Sequence, residues 1–216
     1  MENLIKSVPE PTLKRLPQYI HLLKKLKEDG IRQISSNTIA NELNLDSIQV
    51  RKDLAVTGVV GKPKLGFDLE ELYSALLHTL NWDNSTDAFL VGMGSLGSAI
   101  LGYKTFPEYG LNIIAAFDND EEKIGQSFAG TEVLSSDKLT DMIKRMHINI
   151  GVITVPANEA QKVAQQMIDG GIIAIWNYAP VHLKVPPEII VVNAQLSQSL
   201  GVLTHKLAER LRYLNL

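Results

Sequence analysis

Ala88-Phe89-Leu90-Val91-Gly92-Met93-Gly94-Ser95-Leu96-Gly97 decides how this 216-residue chain folds. Four apolar residues of strand length run into glycines spaced G-x-G-x-x-G, and a helix-forming stretch follows. A second apolar run, Leu111–Phe117, ends at Asp118, 21 residues after Gly97. Strand, glycine turn, helix, strand and acid in that order predict a dinucleotide-binding βαβ unit. Gly92 permits the tight turn. Gly94 lets a pyrophosphate approach the helix N-terminus, where unpaired N–H groups and the helix dipole favour anions, and Gly97 lets helix and strand pack closely. Met93, Ser95 and Leu96 complete the loop. The Asp118 carboxylate can accept both ribose hydroxyls of NAD(H) but repels a 2′-phosphate, so NAD(H) is expected rather than NADP(H).

Beyond this unit the chain alternates strands and helices. Thr131–Leu134, Ile148–Val155, Ile172–Asn177 and Ile189–Val192 are candidate strands, which predicts a Rossmann-like, doubly wound parallel sheet. After the glycine loop there is room to complete that sheet and one terminal helix but not a substrate domain, so no enzyme is expected. Of five histidines, His182 alone falls near the C-terminal end of a candidate strand, and its ordinary reading is a surface loop. No H-x-x-x-H or carboxylate cluster points to a metal. Leu196 to Arg212 is amphipathic, with Leu196, Leu200, Leu203, Leu207 and Leu211 in one stripe that can cover its own sheet or dock on a second subunit.

The part before this sheet has a different character. Up to Gly66 there are 11 basic and 7 acidic residues; the remainder has 10 basic and 17 acidic. A basic small domain therefore precedes an acidic larger one, as expected where the first meets a polyanion. Apolar residues recur at helical spacing from Thr12 to Asp29, with a kink expected at Pro17. Ser35 or Ser36 can cap a second helix. Asp46-Ser47-Ile48-Gln49 opens a third, as a variant capping box. Ile48, Leu54 and Ala55 are expected to face inward. Ser47, Gln49, Arg51 and Lys52 are left for DNA, with Gln able to pair adenine and Arg guanine. Gly58 to Phe67 reads as a wing whose Lys62 and Lys64 straddle phosphates. Asp68 caps a fourth helix running to about Leu80. The domains expected are 1–80, a winged-helix DNA-binding domain with connector helix; 81–195, the NAD(H)-binding domain; and 196–216, a dimerisation helix.

The whole is 45% hydrophobic, 21% charged and free of cysteine. Disorder, disulfides, thiol catalysis and cysteine-held metal are excluded. No run approaches the about 20 residues that span a bilayer, and Met1 to Lys6 lacks a signal-peptide core, so a cytoplasmic protein is expected. An alternative is a small NAD-dependent oxidoreductase, or a nucleotide- or CoA-binding protein, with an N-terminal interaction module.

Taken together, Lys14-Arg15-Leu16-Pro17-x-Tyr19, Ser35-Ser36, Gln49 to Leu54, Gly58 to Phe67, Gly92 to Gly97 with Tyr103, Phe117-Asp118 with Lys123-Ile124-Gly125, Thr154-Val155-Pro156-Ala157 and Asn177-Tyr178-Ala179-Pro180 resemble the Rex family of redox-sensing repressors over essentially the whole chain. The resemblance implies a homodimer with swapped C-terminal helices that binds palindromic operator DNA and releases it when NADH rises. It adds Lys14, Arg15, Ser35 and Ser36 to the DNA-binding set. To the cofactor set it adds Tyr103, Lys123, Ile124, Thr154 to Ala157 and Asn177 to Pro180, with Tyr103, Ala179 and Pro180 near the nicotinamide. It implies a switch formed by Arg15, Tyr103 and the position of Gln195, where the family usually has Asp. Gln195 carries no charge, so a charge-assisted bond is lost there. Pro63-Lys64 and Thr57 also depart from the family pattern.

Overall fold

The computed structural model describes residues 8–194 and 196–214, and the chain divides into two compact units, Met1–Asn84 and Ser85–Leu216.

In the first unit α1 (Glu10–Leu13) and α2 (Leu16–Glu28) are separated at Lys14-Arg15. The break precedes Pro17, which sits in the first turn of α2, where its missing N–H costs nothing. A two-residue strand β1 (Gln33–Ile34) follows, too short for any periodicity to show. Next come α3 (Ser36–Leu43), capped by the Ser35 hydroxyl, and α4 (Ser47–Leu54), capped by Asp46. Then β2 (Phe67–Asp68) pairs antiparallel with β1 and leads into α5 (Leu69–Thr79). Between α4 and β2 the wing turns back at Lys62, whose N–H and carbonyl both bond Gly66. Gly66 has φ +87° and lies so close to the Ile34 carbonyl that a Cβ could not fit. The core joins Leu16, Tyr19 and Leu23 of α2, Ile39 of α3, Val50 and Leu54 of α4, and Leu69, Leu72 and Leu76 of α5. Two inward assignments, Ile48 in α4 and Ala55 just after it, fail. Ile48 is 58% exposed and Ala55 is exposed, while Val50 is buried. At 100° per residue, Val50, Asp53 and Leu54 share the inner face, and Ile48 is rotated away from it.

In the second unit the order is β3 (Thr86–Val91), α6 (Ser95–Leu101), β4 (Leu111–Asp118), β5 (Ser127–Phe128), β6 (Thr131–Ser135), α7 (Leu139–Met146), β7 (Ile150–Ile153), α8 (Ala157–Gly170), β8 (Ala174–Asn177), β9 (Ile190–Asn193) and α9 (Leu196–Tyr213). The sheet runs β5-β6-β4-β3-β7-β8-β9, parallel throughout except for the β5 edge. Without that edge strand, its order is the doubly wound one, and the chain reverses direction of growth between β3 and β7. Side chains alternate across it. Phe89 and Val91 join Phe117, Ile153 and the α7–α8 layer, while Leu90 joins Val152, Ala116 and Ile100 on the opposite face. Strands β7 and β8 are shorter than the apolar runs containing them. Ile148 and Ile172 are buried in the turns ahead of the strands, and apolar character alone does not separate such turns from strands.

Every side chain of α9 from Ser197 onward is exposed, and the stripe Leu200, Leu203, Leu207 and Leu211 lies open, Leu203 at 64%. No described helix is long and apolar enough to cross a membrane.

Candidate functional site

The carboxyl ends of β3, β4 and β7 meet where the sheet reverses, and a cleft of about 600 Å³ opens there. Strand register explains why. Val91 stands opposite both Phe117 and Ile153, so Gly92, Asp118 and Thr154 leave the sheet side by side. The glycine loop is then stitched to its neighbours. Gly92 N–H donates to the Phe117 carbonyl (2.8 Å). Thr154 donates through its hydroxyl to the Gly92 carbonyl (2.7 Å), and Met93 N–H donates to Asp118 Oδ2 (2.6 Å).

The three fingerprint glycines differ in what they are for. Gly92 has φ +105°, and a Cβ there would press on the Thr154 backbone. Gly97 is packed against the Gly92 carbonyl with no room for a Cβ. Gly94 has φ −76°, and a Cβ built on it meets nothing within 4 Å. The first two are demanded by the protein fold. Gly94 is not, and the space its missing side chain leaves faces the cleft, as a backbone approached by a pyrophosphate requires.

Asp118 is 6% exposed. Its Oδ2 accepts from Met93, its Oδ1 accepts from Asp120 N–H (2.9 Å), and Lys123 Nζ stands 3.5 Å away. Each carboxylate oxygen keeps acceptor capacity for a further donor, so two ribose hydroxyls can be served. Lys123 also pairs with Asp120 (3.2 Å). The hydrogen bond to Asp120 is the main reason that its ammonium is held above the ordinary lysine value. A backbone N–H from Glu122, then Lys123, holds the Asp120 carboxyl down.

Of the residues expected at the cofactor, Gly92, Gly94, Ser95, Leu96, Asp118, Lys123, Thr154, Val155, Pro156, Tyr178 and Pro180 line the cleft. Met93, Gly97 and Ala179 are buried beneath it. Asn177 is buried too. Its amide donates to the Val181 carbonyl and Asn193 Oδ1 and accepts from Ala179 N–H, which shapes the turn presenting Tyr178 and Pro180. Ile124 and Ala157 are not part of the lining. Tyr103 is half exposed, but a ring series, Tyr103–Phe106 (4.8 Å), Phe106–Trp176 (5.6 Å) and Trp176–Tyr178 (4.9 Å), connects it to the cleft. Burial pushes the Tyr178 hydroxyl up to about 12, so it stays a donor. Asn119, Asp120, Ser136, Asp137, Glu159, Lys162 and Gln166 also line the cleft, a set that motif reading missed. Asp137 follows the end of β6, and Glu159, Lys162 and Gln166 repeat at helical spacing along α8; only the sheet order reveals that both elements border the loop. His182 is exposed and outside the lining.

The first unit holds the second candidate surface. Arg51 and Lys52 of α4, and Lys62 and Lys64 of the wing, are exposed. Ser47 opens α4 and sits 3.5 Å from Arg51 Nη2. Lys14 is exposed and pairs with Glu10 (2.7 Å). The Ser35 hydroxyl is engaged by Thr38 N–H, and Ser36 begins α3, half buried.

Arg15 and Gln49 instead turn to Asp53, which is fully buried. The carboxylate accepts from Arg15 Nε (2.6 Å) and Nη2 (2.8 Å), Tyr19 Oη (2.7 Å), Thr12 Oγ1 (3.0 Å) and Gln49 Nε2 (2.9 Å). Burial works to raise its pKa, but the bonds from Arg15, Tyr19, Gln49 and Thr12 outweigh it and hold the group at about 2. Tyr19 is pushed well up, by burial first and then by its bond to this carboxylate. No sequence motif announces this cluster, because its members lie on three helices. Gln195 falls outside the described residues, so its part in a switch with Arg15 and Tyr103 is untouched by this geometry.

Residues 83–181 match the family described as "CoA binding domain", and residues 7–55 match "Putative DNA-binding protein N-terminus". The chain is 43% identical over 193 residues to the redox-sensing transcriptional repressor Rex of Treponema denticola, covering 89% of this chain and 92% of that protein. It is 40% identical over 200 residues to the Rex of Bacteroides thetaiotaomicron, covering 93% and 91%. Among solved structures, that of RSP in complex with β-NAD+ and operator DNA superposes with a TM-score of 0.89 at 32% identity, covering 97% of each chain. RSP, a Rex-family repressor, in complex with β-NADH gives 0.86 at 32% identity, covering 96% of this chain and 98% of that one.

Proposed function

Because the chain belongs to the Rex family of redox-sensing transcriptional repressors, we propose that it is a regulator, not an enzyme, that binds operator DNA through its first unit and lets go when NADH enters the cleft of its second. The observation that carries this reading is the open Cβ position of Gly94. A glycine that the fold does not need, at the lining of the cleft and in a chain whose other unit presents a basic winged helix, supports this reading.

The cleft supplies what NAD(H) requires. The Gly92–Gly97 loop offers backbone N–H groups to the pyrophosphate. Asp118 accepts the ribose hydroxyls, and Asp118, Asp120 and Asp137 together repel a 2′-phosphate. Tyr103, Tyr178, Ala179 and Pro180 belong to the nicotinamide end. NADH supplies the redox signal, and this chain binds and orients it without chemistry of its own.

Binding acts on DNA by differential affinity. NADH favours an arrangement of the dimer that the operator does not, so each ligand weakens the other by the same factor. Arg51, Lys52, Lys62 and Lys64 face the duplex, and α9, whose leucine stripe is open in the single chain, forms the homodimer that matches a palindromic site. A cytoplasmic location follows from the work of a DNA-binding regulator.

The test is a fluorescence titration of NADH with and without a duplex selected from random DNA by the protein itself. NADH affinity at least fivefold weaker on DNA is expected; equal affinities overturn the proposal. The same titration with CoA addresses the family description of residues 83–181, and CoA binding that competes with NADH without affecting DNA favours a nucleotide-carrier reading.

A further inference from the structure

Helix α4 is where a regulator of this kind reads bases, and the inference below rests on that reading. Adenine recognition by glutamine requires both halves of the amide, a donor to N7 and an acceptor from N6. Gln49 has one of its two amide N–H groups tied up inside the protein. Its Nε2 donates at 2.9 Å to Asp53 Oδ1, one helical turn on, and Asp53 is fully buried with its other donors on α1 and α2. The bond leaves the second N–H and Oε1 unused, but any rotation of the amide away from Asp53 strips a charge-assisted bond from a buried carboxylate.

The stripe of α4 that faces away from the core is different. Ile48, Arg51 and Lys52 lie at i, i+3 and i+4 and so share one face. Arg51 and Lys52 are exposed, and Ile48 between them is exposed at 58%. A β-branched residue is neither a good helix former nor a soluble surface choice. In the major groove it has one natural counterpart, since the thymine C5-methyl is the apolar group displayed on the base edges there. Its position one residue after Ser47, the first residue of α4, puts it at the end of the helix that enters the groove first.

We propose that Ile48 is a specificity-determining residue of α4, reading a thymine by its methyl group, while Asp53 restrains the neighbouring Gln49 amide from the protein side. Arg51 and Lys52 flank the contact with charge.

The experiment uses the full-length protein and a pool of duplexes with a randomised centre. After a site is selected, each thymine is replaced in turn by deoxyuridine, which removes the methyl and nothing else. One thymine per half-site is expected to matter. Burial of one methyl corresponds to about a fourfold loss at that position, and about 15-fold when both half-sites are changed. In Ile48→Ser the loss disappears, because thymine and deoxyuridine bind alike. Gln49→Ala keeps the deoxyuridine sensitivity, even if some of the protein is destabilised, because base preference does not depend on the folded fraction. A wild type insensitive to deoxyuridine everywhere, an Ile48→Ser protein that keeps the sensitivity, or a Gln49→Ala protein that loses it overturns the inference. A wild type that retains no duplex at all overturns the DNA-binding reading, and this inference with it.

Discussion

Two aspartates, one in each unit, are both almost fully withdrawn from solvent and are put to opposite uses. Asp53 is closed by side chains from α1, α2 and its own helix, and five hydrogen bonds fill its acceptor capacity. Asp118 receives two backbone N–H groups and a distant Lys123, and borders a cleft. A buried carboxylate whose capacity is filled by its own protein is a structural joint; one left with spare capacity at a cleft is free to accept from a ligand, the role proposed for Asp118. The difference is not visible in the residue type or in the degree of burial, but in who supplies the donors.

This contrast can be broken in several ways. Asp53→Ala strands Arg15, Tyr19 and Gln49 and is expected to destabilise the first unit by about 4 kcal/mol. Denaturant unfolding followed unit by unit measures it, and a change under 1 kcal/mol means that the cluster is not a joint.

Acid supplies a second, smaller lever. Asp53 titrates at about 2 in the folded chain, below its ordinary value near 3.8. A lowered carboxylate contributes stability that is fully present above the unfolded value and is lost as pH falls through the folded one. The first unit should therefore lose about 2 kcal/mol between pH 4 and pH 2. Asp53→Asn should remove that dependence, and an unchanged acid profile in the variant places its origin elsewhere.

Asp118→Ala should cost the second unit about 1–2 kcal/mol, since it leaves the buried Met93 N–H without its acceptor. NADH affinity should nevertheless fall by tens-fold or more while DNA is still bound. A variant with normal NADH affinity would refute the ribose assignment. Energy transfer from Trp176, whose ring lies 4.9 Å from that of Tyr178, offers a readout.

The smallest effect on stability is expected at Gly94. Ala fits its φ of −76° and its open surroundings, so Gly94→Ala should leave the melting temperature unchanged or raise stability by up to about 0.5 kcal/mol. NADH binding should weaken at least tenfold. Loss of folding in this variant would mean that Gly94, like Gly97, is demanded by packing.

Most of the architecture was legible before the structure. Caps at Ser35, Asp46 and Asp68, the glycine loop and the strand–helix alternation are local signals, and each lies where the spacing puts it. Legibility failed where a residue's setting depends on a distant partner. Ile48 and Ala55 were placed inward by their apolar character, yet the face of α4 that is buried is chosen by what packs on it. Gln49 was placed at a base edge by its chemistry, and that placement did not foresee its bond to Asp53, whose remaining donors arrive from Thr12, Arg15 and Tyr19. The capping box failed for the same reason, since Asp46 accepts from the Ile48 and Gln49 N–H groups while the Gln49 side chain goes elsewhere.

Local sequence suffices for the doubly wound sheet, the winged helix and the phosphate loop, because hydrophobic period, capping and glycine conformation act over a few residues. Which carboxylate is a joint and which is free to accept from a ligand, which glycine is spare and which side of α4 is free were decided by the tertiary structure. Those outcomes turn on which donors and which carbonyls arrive from elsewhere in the chain, such as Thr12 and Tyr19 at Asp53 or the Thr154 backbone at Gly92. Such encounters have no period and no fixed spacing, and only the folded chain brings them about.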